Sequence, residues 1–171
     1  MSTTRLLVAC AAFAALTSAA GAADLLKPAD PIYSSQLFNF EGLYVGGQAG
    51  IGFSGTSAGV VGVVVGSNFA LTDGIVAGVE FQADGYFNGG ITAYDALALG
   101  RIGGFLSDNT MIYGELGAGF ANSGAVYAIG GGVETALTDK LSVRGELQGL
   151  GSFGSSPSLG KATVGLMWHM N

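Results

Sequence analysis

The chain is poor in the residues that form disulfides, bind metals or carry charge. Its 171 residues include one cysteine, one histidine and three prolines, so neither a disulfide framework nor a Cys-His zinc site is predicted. Charged residues make up only 11% of the chain, and twelve acidic residues outnumber six basic ones. The negative net charge argues against nucleic acid as a partner.

The N-terminus has the pattern of a secretory signal peptide. Arg5 precedes an apolar segment at 6–16, and small residues follow up to Ala23. This pattern predicts a signal peptide over residues 1–22; an alternative is lipidation at Cys10 in the sequence LVAC. Cleavage near Ala22 would remove the only cysteine, so the mature chain would have no disulfide. Residues 23–40, which contain two prolines, are predicted to form an extended N-terminal periplasmic segment.

What the sequence has in abundance is glycine and short alternating apolar pieces. It contains 31 glycines and 49% hydrophobic residues, yet beyond the signal no run reaches the ~18 apolar residues of a membrane helix. In GIVAGVEFQADGYF, 74–87, every second residue is apolar and the others are polar or small, which is the period of a strand with two unlike faces. The pattern recurs eight times, separated by short polar turns. The predicted strands are Gly42–Phe53, Gly59–Leu71, Ile75–Phe87, Thr92–Leu106, Thr110–Ala121, Ala125–Leu137, Leu141–Phe153 and Leu159–Met170.

The composition of the polar rows decides which face is inside. A water-facing row normally carries many Lys and Glu, whereas these rows are rich in glycine and carry few charges per strand. A small closed barrel in a bilayer explains both features, because lipid contacts the apolar row and the polar row fills the interior. We therefore predict an all-β, eight-stranded antiparallel up-and-down transmembrane barrel over residues 41–171. The alternative to a membrane protein is a secreted soluble barrel that binds lipid.

Charges of both signs fall in the middle of the polar rows. In a narrow barrel they would meet and pair, because eight strands leave an interior that side chains just fill. The interpretation is an ionic plug, and the alternative is a narrow polar path for ions. The predicted lumenal ionic network consists of Glu80, Asp84, Asp95, Arg101, Glu115, Glu134, Arg144, Glu146 and Lys161. No cofactor, metal or catalytic residue is predicted. The only histidine, His169, lies two residues from the C-terminus at the end expected to be periplasmic, whereas a barrel acyltransferase or protease would need its base on the outer side beside a serine and an acid.

Several segments together resemble the small outer-membrane β-barrel proteins of alphaproteobacteria, within the opacity-protein and porin-like superfamily. The motifs that carry the resemblance are ADLLKPADP at 23–31, FEGLYVGGQAG at 40–50, GVE at 78–80, RIG at 101–103 and GGGVETALTDKLSVRGELQ at 130–148. The chain departs from that family in its short surface loops, and in Met170 where an aromatic residue is usual. The resemblance covers essentially the whole mature chain.

The resemblance implies a location and a set of partners. It implies a multi-pass protein of the Gram-negative outer membrane with both termini periplasmic, in contact with outer-membrane lipid, lipopolysaccharide and the outer-membrane assembly machinery. Thr163, Gly165, Trp168 and Met170 resemble the C-terminal assembly signal of such proteins. The expected role is structural or partner-binding and not enzymatic, with another membrane protein or a second copy of the chain as candidate partners. A small porin-like channel for ions or small solutes is the alternative.

Overall fold

The chain folds into eight β-strands, as the alternation predicts. The computed structural model describes residues 38–72, 74–122 and 124–170. The strands are β1 Gly42–Ser54, β2 Thr56–Thr72, β3 Ile75–Phe87, β4 Ile91–Ser107, β5 Thr110–Ala121, β6 Gly124–Ala136, β7 Leu141–Ser152 and β8 Leu159–His169. The largest error in the predicted bounds is at β2, which begins at Thr56 and not at Gly59. The predicted signal peptide, and the extended segment as far as residue 37, lie outside the described residues and stay predictions.

Each strand pairs antiparallel with the next, and β1 also pairs with β8, so the sheet closes into a barrel. The closing pair runs from Tyr44 opposite His169 to Phe53 opposite Gly160. Closure leaves no sheet edge with unpaired backbone groups. We call the end where β1 begins and β8 ends the proximal end, and the opposite end, with the β1–β2 and β7–β8 connections, the distal end. The described residues include no helix of the length and apolarity needed to cross a membrane.

The two faces of the barrel wall are inverted relative to a water-soluble protein. Leu43, Val63 and Leu116 on the outer face are 57%, 64% and 62% exposed. Glu80 and Arg144 on the inner face are 0% and 1% exposed. This is the orientation that the sequence predicts, and the all-β barrel fold is confirmed.

The interior also contains an apolar cluster that the alternation did not reveal. It lies towards the distal end and involves β4, β6 and β7. Its members are Leu97, Leu99, Val126, Ala128 and Leu150, with Ala121 and Leu159 packed against them. The strands that supply it have apolar residues in both rows at these positions, as in ALAL at 96–99, so a period of two carries no signal there.

Glycine allows the closing strands to approach very closely. A Cβ atom built on Gly50 of β1 would lie 1.9 Å from the backbone oxygen of Ala162 and 2.7 Å from the Cα of Thr163, both on β8. Since those neighbours are backbone atoms, they cannot move aside without separating the strands. At Gly47 of the same strand, the corresponding Cβ meets only the Gly62 oxygen, at 3.8 Å.

We predict that Gly50→Ala destabilises the barrel by about 1–3 kcal/mol, the usual cost of inserting atoms into a well-packed site. Gly47→Ala is the matched control in the same strand and should change the free energy of unfolding by less than about 0.5 kcal/mol. The measurement is equilibrium unfolding in guanidinium chloride of protein folded in detergent or lipid. Equal stability of the two variants would show that the β1–β8 seam does not need a glycine.

Candidate functional site

The structure brings all nine residues of the predicted ionic network into the barrel interior. They come from six strands, β3 to β8, and none is more than 5% exposed. They form two groups along the barrel axis, linked by glutamine side chains. The central cluster consists of Glu80, Arg101, Glu115, Glu134, Arg144 and Glu146, and the distal cluster consists of Asp84, Asp95 and Lys161.

Glu80 is the most heavily hydrogen-bonded member of the central cluster. Its Oε2 accepts hydrogen bonds from Arg144 Nη1 at 2.6 Å and from Arg101 Nη1 at 3.0 Å. The Tyr44 hydroxyl donates to the same oxygen at 2.5 Å, and Arg144 Nη2 donates to Oε1 at 3.2 Å. One carboxylate on β3 therefore connects β1, β4 and β7 across the lumen.

The two arginines each reach a second carboxylate. Arg101 Nη2 lies 3.2 Å from Glu134 Oε2, and Arg144 Nε lies 3.4 Å from Glu146 Oε2. The Arg101 guanidinium also stacks on the ring of Tyr113, 3.8 Å from its centroid, in a cation–π contact. Both arginines are buried and each contacts two acids, so their positive charges are paired, as charge removed from water must be.

Glu115 differs from the other carboxylates of the central cluster. Among the described residues it has no ion-pair partner, and Gln148 Nε2 donates to its Oε1 at 2.6 Å. Oxygens of Glu80, Glu115 and Glu146 lie within 4.8 Å of one another. Carboxylate oxygens at such spacing are the ligand type that hard cations such as Ca²⁺ prefer, so these three residues are the ones that could hold a cation.

The distal cluster is built around one lysine. Lys161 Nζ donates a short hydrogen bond to Asp84, whose other oxygen accepts from Gln48 Nε2 at 2.8 Å. Asp95 lies directly opposite Asp84 in the β3–β4 register and accepts a hydrogen bond from the Tyr86 hydroxyl at 2.6 Å. Two like charges face each other here, which destabilises a strand pair unless a cation or donors offset them.

Glutamine and tyrosine side chains complete the network, and sequence reasoning did not assign them to it. Gln82 Nε2 donates to Glu146 at 3.0 Å, and Gln82 Oε1 accepts from Gln148 at 3.1 Å and from Lys161 at 3.2 Å. The Tyr113 hydroxyl donates to Glu146 Oε2 at 2.7 Å. These glutamines and tyrosines could have been predicted from the sequence, because they lie in the same alternating polar rows as the acids.

His169 lies beside a serine and an acid, although these residues are far apart in the sequence. Its Nε2 is 3.0 Å from Glu134 Oε1 and 3.2 Å from Ser142 Oγ, and that hydroxyl donates to the same Glu134 oxygen at 2.7 Å. In a hydrolytic triad the acid and the serine contact different ring nitrogens. Here one nitrogen faces both, and all three residues are 0% exposed, so the arrangement does not support nucleophilic catalysis.

The four residues of the predicted assembly signal lie on β8 and just beyond it. Thr163 and Gly165 point inward, whereas Trp168 and Met170 are exposed on the outer wall, at 52% and 56%. Inward polar or small residues and outward apolar residues are the arrangement expected of a strand whose outer face contacts lipid. Their role as an assembly signal stays a prediction.

Comparison with known proteins identifies the type of fold. No protein-family model and no curated protein sequence matches the chain. Solved structures do match, and the fold is that of outer-membrane β-barrels. They include a structure from the de novo design of transmembrane β-barrels, with 17% identity and a TM-score of 0.53, covering 76% of this chain and 97% of that one.

Two natural bacterial proteins of known structure show the same likeness. Ail, the attachment invasion locus protein of Yersinia pestis, has 12% identity and a TM-score of 0.53, with 75% of this chain and 97% of that one covered. Neisserial surface protein A has 12% identity and a TM-score of 0.50, with 75% and 96% covered. Identities this low show the fold alone, so the resemblance to the alphaproteobacterial family stays a prediction.

We predict that the two glutamates respond very differently to loss of charge. Glu80→Gln leaves Arg101 and Arg144 short of their shared partner and should cost about 3–5 kcal/mol, as for breaking a buried ion pair. Glu115→Gln keeps an acceptor oxygen for Gln148, and Glu115 has no ion pair among the described residues to lose. Its effect on the free energy of unfolding should stay within about 1 kcal/mol.

Equilibrium unfolding of both variants under one set of conditions provides the measurement. Because the two substitutions are chemically identical and both sites are buried, the comparison isolates the ion pairs. A larger loss at position 115 than at position 80 would contradict this account of the central cluster.

Proposed function

We propose that the protein is an integral outer-membrane β-barrel with a structural or partner-binding role and a lumen filled by ionic side chains. The observation that carries this proposal is the inverted wall. Large apolar side chains cover the outer face of the closed barrel, and paired charges occupy its interior. Exposing so continuous an apolar surface to water would be costly, whereas acyl chains are its natural surroundings.

The outer membrane is the proposed location, with both termini periplasmic. The fold shared with Ail and Neisserial surface protein A and the predicted signal peptide support this assignment. The distribution of exposed charge agrees with it. Glu41, Asp108, Asp139 and Lys140 are all exposed at the proximal end, whereas the distal connections at 88–90 and 153–158 carry no charged residue. Exposed charge at the proximal end supports placing that end in water.

A filled interior favours a structural role over a porin-like channel. Every member of the ionic network is at least 95% buried, and the two clusters are joined by direct hydrogen bonds through glutamines. Eight-stranded barrels have an interior that side chains just fill. The same burial supports a role without catalysis, since the Ser142–His169 contact has no access for a substrate.

Membrane lipid, including lipopolysaccharide, is the proposed partner of the outer wall. Phe87, Tyr94, Phe120 and Phe153 are exposed near the distal end, where aromatic residues of such barrels meet the lipid interface. Assembly machinery of the outer membrane, a second membrane protein or a second copy of the chain are further proposed partners. Purification in mild detergent without any stoichiometric companion would count against a protein partner.

We predict that a charge in the middle of the outer wall is costly only if that wall contacts lipid. Val63→Arg, at mid-strand opposite Gly47 and Ala83, should destabilise the barrel in phospholipid by about 2–4 kcal/mol. Leu106→Arg is the control, because both side chains are 64% exposed but Leu106 lies beside a proximal turn. Its cost should be about 0–1 kcal/mol.

The measurement is unfolding by guanidinium chloride from phospholipid bilayers. In a soluble barrel an exposed arginine would be almost neutral at both positions. Equal, small effects at positions 63 and 106 would therefore overturn the membrane assignment.

We predict that the purified protein forms no steady ion channels in planar bilayers, because buried side chains that hydrogen-bond to one another fill the lumen. Single-channel recording tests this directly, with heat-unfolded protein as the control for detergent leakage. Reproducible conductance steps that require folded protein would favour the porin-like alternative.

A further inference from the structure

Residues 38–40, which precede β1, lie inside the proximal mouth of the barrel. Phe38 and Phe40 are only 8% and 1% exposed, although they lie outside the strand pairing. They pack against Val76 of β3 and against Met111 and Tyr113 of β5. An apolar layer therefore lies between the proximal opening and the central ionic cluster.

The two aromatic rings also cover the histidine at the end of the network. The ring centroid of Phe38 is 4.9 Å from that of His169, edge to face, and the Phe40 ring is 6.0 Å away with the same geometry. The two phenylalanine rings contact each other at 4.6 Å. Asn68 Nδ2 of β2 donates to the backbone oxygen of Phe40 at 3.0 Å, which fixes the segment to the wall.

The turn that leads from this segment into the wall is also specific. Asn39 Oδ1 accepts a hydrogen bond from the Glu41 amide at 2.9 Å. Gly42, the first residue of β1, has a φ of 93°, a conformation that residues with a side chain rarely adopt. The chain can therefore turn sharply from the mouth into the wall.

We propose that residues 38–40 act as a displaceable stopper that closes the proximal mouth and separates the lumenal ionic network from the aqueous phase there. The segment lies outside the closed strand ladder and contacts the wall through ring packing and side-chain interactions, so it can leave the mouth while all eight strand pairs remain intact. Displacement would expose His169 and the Glu134–Arg101 pair to water. The barrel would then have a closed and an open proximal end.

Thiol accessibility tests this proposal on the folded barrel in detergent, independently of the membrane assignment. Cys10→Ser removes the native thiol, and Met111→Cys places a reporter directly behind the stopper. Reaction with a charged, water-soluble methanethiosulfonate is timed with the stopper intact and with Phe38→Ala/Phe40→Ala. We expect at least a tenfold faster reaction in the double variant.

Three controls make the result specific. Asp108→Cys, which is exposed, should react rapidly in both backgrounds, and Leu97→Cys, in the distal apolar cluster, should stay slow in both. Phe69→Ala/Phe81→Ala removes two phenylalanines from the outer face and should leave Met111→Cys protected.

A second test variant, Gly42→Ala, keeps both rings but strains the turn. It should accelerate the labelling of Met111→Cys even if the double alanine variant fails to fold.

Two results would overturn the proposal. One is rapid labelling of Met111→Cys while Phe38 and Phe40 are intact. The other is labelling that does not depend specifically on the stopper: either the rate is unchanged in the folded variants, or Leu97→Cys is accelerated to the same extent as Met111→Cys. Equal acceleration would indicate general loosening of the barrel and not removal of a stopper.

Discussion

Charge enclosed in the closed barrel has to be paired, and this requirement shapes the remaining structure. Glu80 accepts hydrogen bonds from two arginines and a tyrosine on three other strands. With one partner removed, a buried charge would remain in a medium of low dielectric constant, where its cost is large. The network thus fixes the relative positions of β1, β3, β4 and β7 and determines which face of each strand is inside.

The outer wall is the complement of this interior. The charged residues within the strands face the lumen, whereas the outer rows carry apolar side chains almost throughout. Among the described residues, exposed charge is confined to the proximal end. Glycine allows the narrow barrel to close, as the approach of Gly50 to the backbone of β8 shows. Such a barrel is stabilised by ion pairs and hydrogen bonds in its lumen and by contact of its outer face with lipid, and it needs no disulfide.

The interior is layered along its axis. An aromatic and apolar layer around Phe40 and Met111 lies at the proximal mouth, followed by the central ionic cluster and then the distal cluster around Lys161. The apolar group around Leu97 and Leu150 occupies the distal half on β4, β6 and β7. A continuous polar path would need water between these layers, whereas the side chains contact one another directly.

The strands, their number and their two faces could be predicted from the sequence alone, because the period of two and the polar turns are local properties. The sequence also selected the nine charged residues that the structure places inside. Which of these residues pair with one another is seen only in the folded barrel. Arg101 lies directly opposite Glu115 in the β4–β5 register, yet it contacts Glu80 and Glu134.

The stopper and the apolar distal cluster also required the tertiary structure. Nothing in the alternation marks Phe38 and Phe40, which lie before the first strand, or separates Leu97 and Leu99 from the outward apolar row. Contacts across a lumen join residues far apart in the chain. Their choice depends on strand register, barrel curvature and side-chain reach, which no local pattern encodes.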